Sequence, residues 1–417
     1  MEREASAERQ ESRLPQRLFG VQFSVPVQSE TVPFNERGGR LRGVLDVVSG
    51  RFPGFVFGGS VGSDTLPVFH FHDERRGDLE SKLRHLAENG YQSVTNDDIA
   101  RFVTGALATD GRRVGLCFDD VWASVWTVAG PLLKQYGLTA IAYAIPGRIE
   151  DADLCRPIGT DGGNPGAGPP LATWPELRAL HASGVLDVQC HTYSHSRIFC
   201  STTVTGYVTP DFASTPLLNR PQIAELPDPR FLTPSDLGAP LYTSRSRMSD
   251  ALRVSAADEI RIRCLERVAG GGGPRFFEKP TWRGELDAIA QGAPTSVESS
   301  ERRRAAIEEE LDRCRALLNA RLATGSVQHV CLPWGVSGEN ATAALQRLGF
   351  KSAFANRLQG THAVRRGDDL FWLKRLPNKY IFRLPGRGRR LWSSTLRQAQ
   401  SRPERGRGPT ASGERSL

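Results

Sequence analysis

The stretch Val114-Gly115-Leu116-Cys117-Phe118-Asp119-Asp120 carries an apolar run directly into two adjacent carboxylates. Further on, Val185-Leu186-Asp187-Val188-Gln189-Cys190 repeats the pattern and ends at His191-Thr192-Tyr193-Ser194-His195. Both runs read as short strands whose polar ends open into loops. Taken alone, an Asp-Asp pair is more often a turn or helix cap than a catalytic feature. A lone His-x-x-x-His is more often a polar core or surface pair than a metal site. Together they are a sharper signal, because a carboxylate and two histidines can hold one divalent ion. A spare aspartate beside the ligand can then act as base toward water. Catalytic groups collect at strand ends on one rim of an α/β barrel, so the pattern points to a hydrolase.

Working outward, helix and strand signals alternate. Asp78 is placed to cap a helix with Leu79, Leu83 and Leu86 on one face and Gly90 at its end. Pro131 to Gly137 reads as a helix with proline in its first turn, and Leu138 to Ala144 as the next strand. Ile307, Leu311, Cys314, Leu318 and Leu322 recur at helical spacing. Val327 to Cys331 then reads as a strand delivering Pro333 and Trp334 to the rim, followed by a helix from Glu339 to Leu348 and a strand from Ser352 to Ala355. This is the β/α rhythm of a barrel. The glycine-rich Gly54 to Gly62 fits neither a dinucleotide-binding nor a phosphate-loop pattern and is expected to be a strand and turn.

The motifs, in their order, resemble those of the polysaccharide deacetylase family, the NodB-like carbohydrate esterases. Leu116-Cys117-Phe118-Asp119-Asp120 stands where the family has Thr-Phe-Asp-Asp-Gly, and His191 to His195 match its His-Ser/Thr-x-x-His. Trp174-Pro175-Glu176-Leu177-Arg178 resembles the helix leading into that second motif, and Cys331-Leu332-Pro333-Trp334-Gly335 the third motif. Val68-Phe69-His70-Phe71-His72 looks like the family's opening strand. The resemblance implies a distorted TIM-like (β/α) barrel, with Asp120, His191 and His195 as metal ligands and Asp119 as general base. It also implies Pro333 and Trp334 on the wall of the sugar groove, and a divalent metal, zinc first, with cobalt or nickel as alternatives. The implied reaction is hydrolytic removal of an N-acetyl or other N-acyl group from an amino sugar in a glycan or glycan precursor.

The departures from the family pattern are specific. Val121 replaces the glycine that usually follows the aspartates, so the loop is expected to manage without glycine's freedom at positive φ. Cys331 stands where many members carry an arginine that orients the catalytic aspartate. Leu384-Pro385-Gly386 offers no histidine for the late Leu-x-His motif that supplies the general acid. His362 reads as a surface loop histidine, whereas His70 and His72 share one face of a strand and are candidates for the acid. Two alternatives remain: an amide hydrolase acting on a non-sugar metabolite, and a catalytically weak barrel that binds glycans or serves as a scaffold.

Composition bounds the rest. The 417 residues, 39% hydrophobic, suffice for a full core. Seven cysteines lie scattered without Cys-x-x-Cys pairing, which favours free thiols in a reducing compartment. The first ten residues alternate charges without an apolar run, unlike a secretory signal, and a cytoplasmic protein is expected. The domain reading is a flexible leader over 1–15, a barrel over 16–384 with its motifs in 68–384, and a basic disordered tail over 385–417. From Gly386 onward eight arginines face two glutamates, so six of the net +8 charges sit there. A solvated tail with at most weak contact to anionic membrane, and no nucleic-acid partner, is expected. The Gly/Pro-rich loop near 151–170 is expected near the site mouth. A long insertion, about 197–296, contains Arg220, Tyr242, Arg245, Arg247 and Trp282 and is expected to govern substrate choice.

Overall fold

The computed structural model describes residues 49–158, 169–291, 295–355 and 362–390. The leader, the glycine-rich centre of the 151–170 loop and the tail beyond 390 lie outside the described residues. In chain order come β1 (Val68–Phe71), α1 (Arg76–Glu88), β2 (Gln92–Val94), α2 (Asn96–Val103), β3 (Arg113–Asp119), α3 (Gly130–Gln135), β4 (Ala140–Ala144), α4 (Trp174–Ala182) and β5 (Leu186–Cys190). An excursion follows: β6 (Arg197–Tyr207), β7 (Gln222–Ala224), β8 (Arg230–Phe231), β9 (Pro240–Ser246), β10 (Val254–Ala256), α5 (Asp258–Gly270), α6 (Trp282–Ala290) and β11 (Thr295–Val297). The rhythm resumes with α7 (Ser300–Leu322), β12 (His329–Cys331), α8 (Glu339–Arg347), β13 (Ser352–Phe354) and β14 (Leu376–Pro377).

The main sheet runs β13-β12-β5-β4-β3-β1-β14, with β2 beside β3, and all its pairings are parallel. Its ends come together where Phe354 bridges Leu373, so the sheet curls into a distorted barrel. The two-residue period of a strand then sorts the side chains. Leu116 and Phe118 pack outward with Phe69, Phe71 and Leu311 under the helices. Cys117 turns inward with Val68, Ile141, Tyr143, Cys331 and Phe354. Asp119, two residues beyond Cys117, therefore emerges at the inner rim.

Local chemistry departs from expectation in two helical turns. Asp78 lies inside the first turn of α1, whose N-cap is Arg75, and pairs with the buried Lys82 at 2.5 Å, one turn on, instead of capping. Gly54–Phe57 is a 3-10 turn rather than a strand; Pro53 sets its entry and Gly58, at φ 109°, closes it.

The excursion folds around its own small cores. One contains Phe199, Phe212, Leu232 and Tyr242, and another Tyr207, Ile260, Cys264, Phe276 and Leu286. Three of the insertion residues named from the sequence have structural duties. Arg247 is 2% exposed and forks onto Glu298 at 2.7 and 2.8 Å while also pairing with Glu225. Tyr242 is buried edge-on against Phe199, and Trp282 packs on Tyr207 and Phe277. A buried charge or large ring is satisfied inside a domain before it is offered to solvent. Arg302 of α7 reaches Glu225 at 2.9 Å and ties the excursion to the barrel. All seven cysteines are free, and among the described residues no helix is long and apolar enough to cross a membrane.

The loop after β4 is anchored by one buried ion pair. Glu176, fully buried in the first turn of α4, accepts from Arg156 Nε at 2.8 Å and Nη2 at 2.6 Å. Arg156 also donates to Pro169 O and Leu171 O, both at 2.7 Å. Removing one partner strands a buried charge, so Glu176→Ala is expected to destabilise the fold by about 3–5 kcal/mol, measured by denaturant unfolding against wild type.

Candidate active site

The carboxyl ends of β3, β5 and β12 meet at one rim. Asp120 follows β3, and its Oδ1 lies 3.3 Å from His191 Nε2 and 3.7 Å from His195 Nε2. Zinc bonds of about 2.1 Å at tetrahedral angles separate donor atoms by about 3.4 Å. The donors, all buried and mutually within 4.8 Å, therefore fit one small divalent ion. The remaining polar atoms are committed in ways that aim these donors. His191 Nδ1 donates to Cys331 O at 2.6 Å, which leaves the Nε2 lone pair free for a ligand. Trp122 Nε1 donates to Asp120 Oδ2 at 3.0 Å and leaves Oδ1 for the histidines. Burial, only partly countered by Asp120, pushes His195 down to about 3, so it stays in the neutral form a metal requires.

Both ligand loops use left-handed backbone without glycine. Asp120 and Val121 sit at φ 68° and 56°, and Thr192 and His195 at 62° and 52°. Val121 thus keeps the turn in which the family pattern has glycine. Such a conformation costs about 1–2 kcal/mol in a non-glycine residue, and the complete burial of the Val121 side chain offsets it. The histidine loop is fixed from below by α7. Ser194 N donates to Glu310 Oε2 at 2.9 Å, Ser194 Oγ bonds Oε1, and Tyr193 N reaches Glu310 O at 3.0 Å. From the other side Gly147 N donates to Tyr193 O at 2.8 Å; a Cβ at Gly147 would lie 2.6 Å from that oxygen.

Asp119 stands outside the ligand cluster. Both of its oxygens are gripped by Arg375, at 2.6 and 2.7 Å, just before β14. Arg375 Nη2 also lies 2.9 Å from Cys331 Sγ. Cys331 marks the position where the family's arginine is missing, and Arg375 reaches over it from another strand. Burial would raise the Asp119 carboxyl, but Arg375 outweighs it and holds the group below the ordinary carboxylate range.

A cavity of about 190 Å³ adjoins Asp119, lined among others by His70, His72, Trp334, His362 and Arg375. His72 Nε2 is 3.7 Å from Asp119 Oδ2, with its side chain 49% exposed. His70 is pushed to about 3, first by burial and then by Arg375. His362 is not a surface residue: it is half-buried against the Phe52 ring at 4.6 Å. Leu384 to Gly386 lie elsewhere, where Pro385 O accepts from Tyr91 and Arg112. Trp334, at φ 55°, packs 4.2 Å from the His195 ring, and its indole donates to Asn219 of the excursion at 3.3 Å. Pro333 is buried and does not line the cavity; Leu332, Trp334 and Gly335 do. The sequence reading missed Arg375, Trp122 and Glu310. Arg375 and Glu310 carry no spacing signal because they reach the site through tertiary packing, whereas Trp122 is local, two residues beyond Asp120.

Residues 106–218, which contain both ligand motifs, match the family model described as Polysaccharide deacetylase. YxkH of Bacillus subtilis, named as a polysaccharide deacetylase, is 27% identical over 88 residues, 19% of this chain and 32% of that protein. The match thus spans about a third of the relative's length. Among solved structures, the BpsB deacetylase domain from Bordetella bronchiseptica aligns with TM-score 0.46 and 15% identity over 76% of this chain and 97% of that one. IcaB from Ammonifex degensii aligns with TM-score 0.41 and 18% identity over 76% and 94%.

Two substitutions separate ligand from base. Asp120→Asn is expected to abolish tight zinc binding while Asp119→Asn retains it, as read by competition with a chromogenic chelator. Glu310→Ala is expected to weaken zinc binding about 10- to 100-fold through the histidine loop, with the folded circular dichroism spectrum retained.

Proposed function

We propose that the protein is a metal-dependent deacetylase that hydrolyses the N-acyl group of an amino sugar in a glycan or glycan precursor. The observation that carries this reading is Asp119, ionised and oriented, directly beside the Asp120/His191/His195 cluster in the segment that matches the family. A divalent ion held by Asp120, His191 and His195 would supply Lewis-acid polarisation of the acyl carbonyl and acidify the attacking water. Asp119 takes the water's proton. Arg375 fixes the plane of that carboxylate, so base and ligand do not exchange roles. His72, close to Asp119 and open to solvent, returns a proton to the departing amine. His70 is a poorer donor because burial and Arg375 keep it neutral. Seven free cysteines support a reducing, cytoplasmic setting, in which a glycan precursor is the natural substrate.

Acetate release from N-acetylated oligosaccharides, measured on protein stripped of metal and then given zinc or cobalt, tests the reading. Metal-restored release is expected, and its absence from every substrate with metal demonstrably bound would overturn it. The pH profile tests the role of Arg375. The base works unprotonated, and Arg375 lowers its pKa against burial. In Arg375→Met burial loses its main opponent, leaving only the weaker effects of His191 and His72, so the acid limb of kcat/KM is expected to move to higher pH by about one unit or more.

A further inference from the structure

The cavity beside Asp119 has an apolar inner end larger than the methyl of an acetyl group fills. Leu332, Phe354, Ala355 and Leu373, each 3% exposed or less, belong to its lining, and Phe52 and Trp334 add ring surface. The polar groups on the same walls are already satisfied. Asp119 and Arg375 bind each other through both oxygens. Burial keeps His70 neutral, and Lys374 and His362 are engaged by other groups of the protein. What the inner end offers a ligand is carbon surface. A sugar ring fits it poorly, because hydroxyls moved there from water would find few partners in return. The amide itself indicates which group enters. Its carbonyl carbon carries an oxygen, the amine nitrogen and the acyl chain. The nitrogen bears the sugar and takes its proton from His72, whose side chain is 49% exposed, so the sugar extends toward solvent. The acyl chain is left to face the buried wall. A cavity of about 150 Å³ lined by aliphatic and aromatic side chains can hold benzene, and this one measures about 190 Å³.

We propose that this cavity is an acyl-chain pocket, and that the preferred substrate carries an N-acyl group longer than acetyl, of butyryl to benzoyl size. Water's oxygen forms the new bond to the acyl carbon, the C–N bond breaks, and the products are a longer carboxylate and the free amine. The proposal rests on the deacetylase reading for its reaction but not for its binding.

The test uses the full, zinc-loaded chain and a glucosamine disaccharide N-acylated with acetyl, propionyl, butyryl, hexanoyl or benzoyl groups. Amine release and calorimetric binding are both recorded for wild type, for Ala355→Leu, which fills the pocket, and for Leu373→Ala, which enlarges it. The expected result is that kcat/KM rises about four-fold per methylene from acetyl to butyryl, as burial of each CH₂ dictates. Ala355→Leu should bring the butyryl-to-acetyl ratio to parity or below. Leu373→Ala should move the preferred group toward hexanoyl. The two variants shift the preference in opposite directions, which a loss of folding cannot do. Rates and affinities that stay flat or fall with acyl length in wild type, or a preference that neither variant moves, would overturn the proposal. Release confined to the acetyl probe would overturn it while leaving the deacetylase reading in place. Binding that strengthens with acyl length and weakens in Ala355→Leu, without amine release from any probe, would sustain the pocket and refute the deacetylase reading.

Discussion

A carboxylate as deeply buried as Asp119 stays ionised only if a cation is buried with it. In this barrel that cation comes from the approach to the last strand. Arg375 can reach Asp119 because the sheet curls until Phe354 bridges Leu373, which brings the stretch before β14 across the lumen above Cys331. Its guanidinium lies 5.4 Å from the Phe354 ring and 5.6 Å from Tyr143, so the lumen supplies aromatic faces as well as a counter-charge. Closure of the barrel and the pairing of Asp119 with Arg375 thus go together. Without the pair, burial would shift Asp119 toward the protonated acid.

The metal cluster depends on a different constraint, the cost of left-handed backbone in residues that carry side chains. Four such residues stand in the two ligand loops, and each loop is held by groups outside it: Glu310 and Gly147 for the histidines, and the burial of Val121 for the aspartates. Strain of this kind persists only where the surroundings over-determine it. The excursion joins the same network, since Asn219 holds Trp334 against His195 and Arg302 binds α7 to Glu225.

Much of this was legible in the sequence because it rests on local periodicity. The strand ending at Asp119, the strand ending at His191 and the helix carrying Leu311 and Leu318 all announce themselves through spacing, and the structure places them as read. What was not legible is long-range. Arg375 looks like any basic residue in a polar stretch, and only the curl of the sheet sets it over Cys331. The roles of Arg247, Tyr242 and Trp282 within the excursion are long-range too, since its own cores and ion pairs consume them. His362 was read as exposed because its neighbours are polar, whereas its ring packs against Phe52 from far upstream in the chain.

The separation of Asp119 from the ligand set is the centre of the account. The most direct test is a crystal structure of the zinc-loaded protein with anomalous scattering recorded at the zinc edge. The account predicts one ion bonded to Asp120 Oδ1, His191 Nε2 and His195 Nε2 at about 2.0–2.2 Å, with Asp119 outside coordination and still held by both nitrogens of Arg375. An ion that recruits Asp119 in place of Asp120, or that binds away from the two histidines, would contradict it.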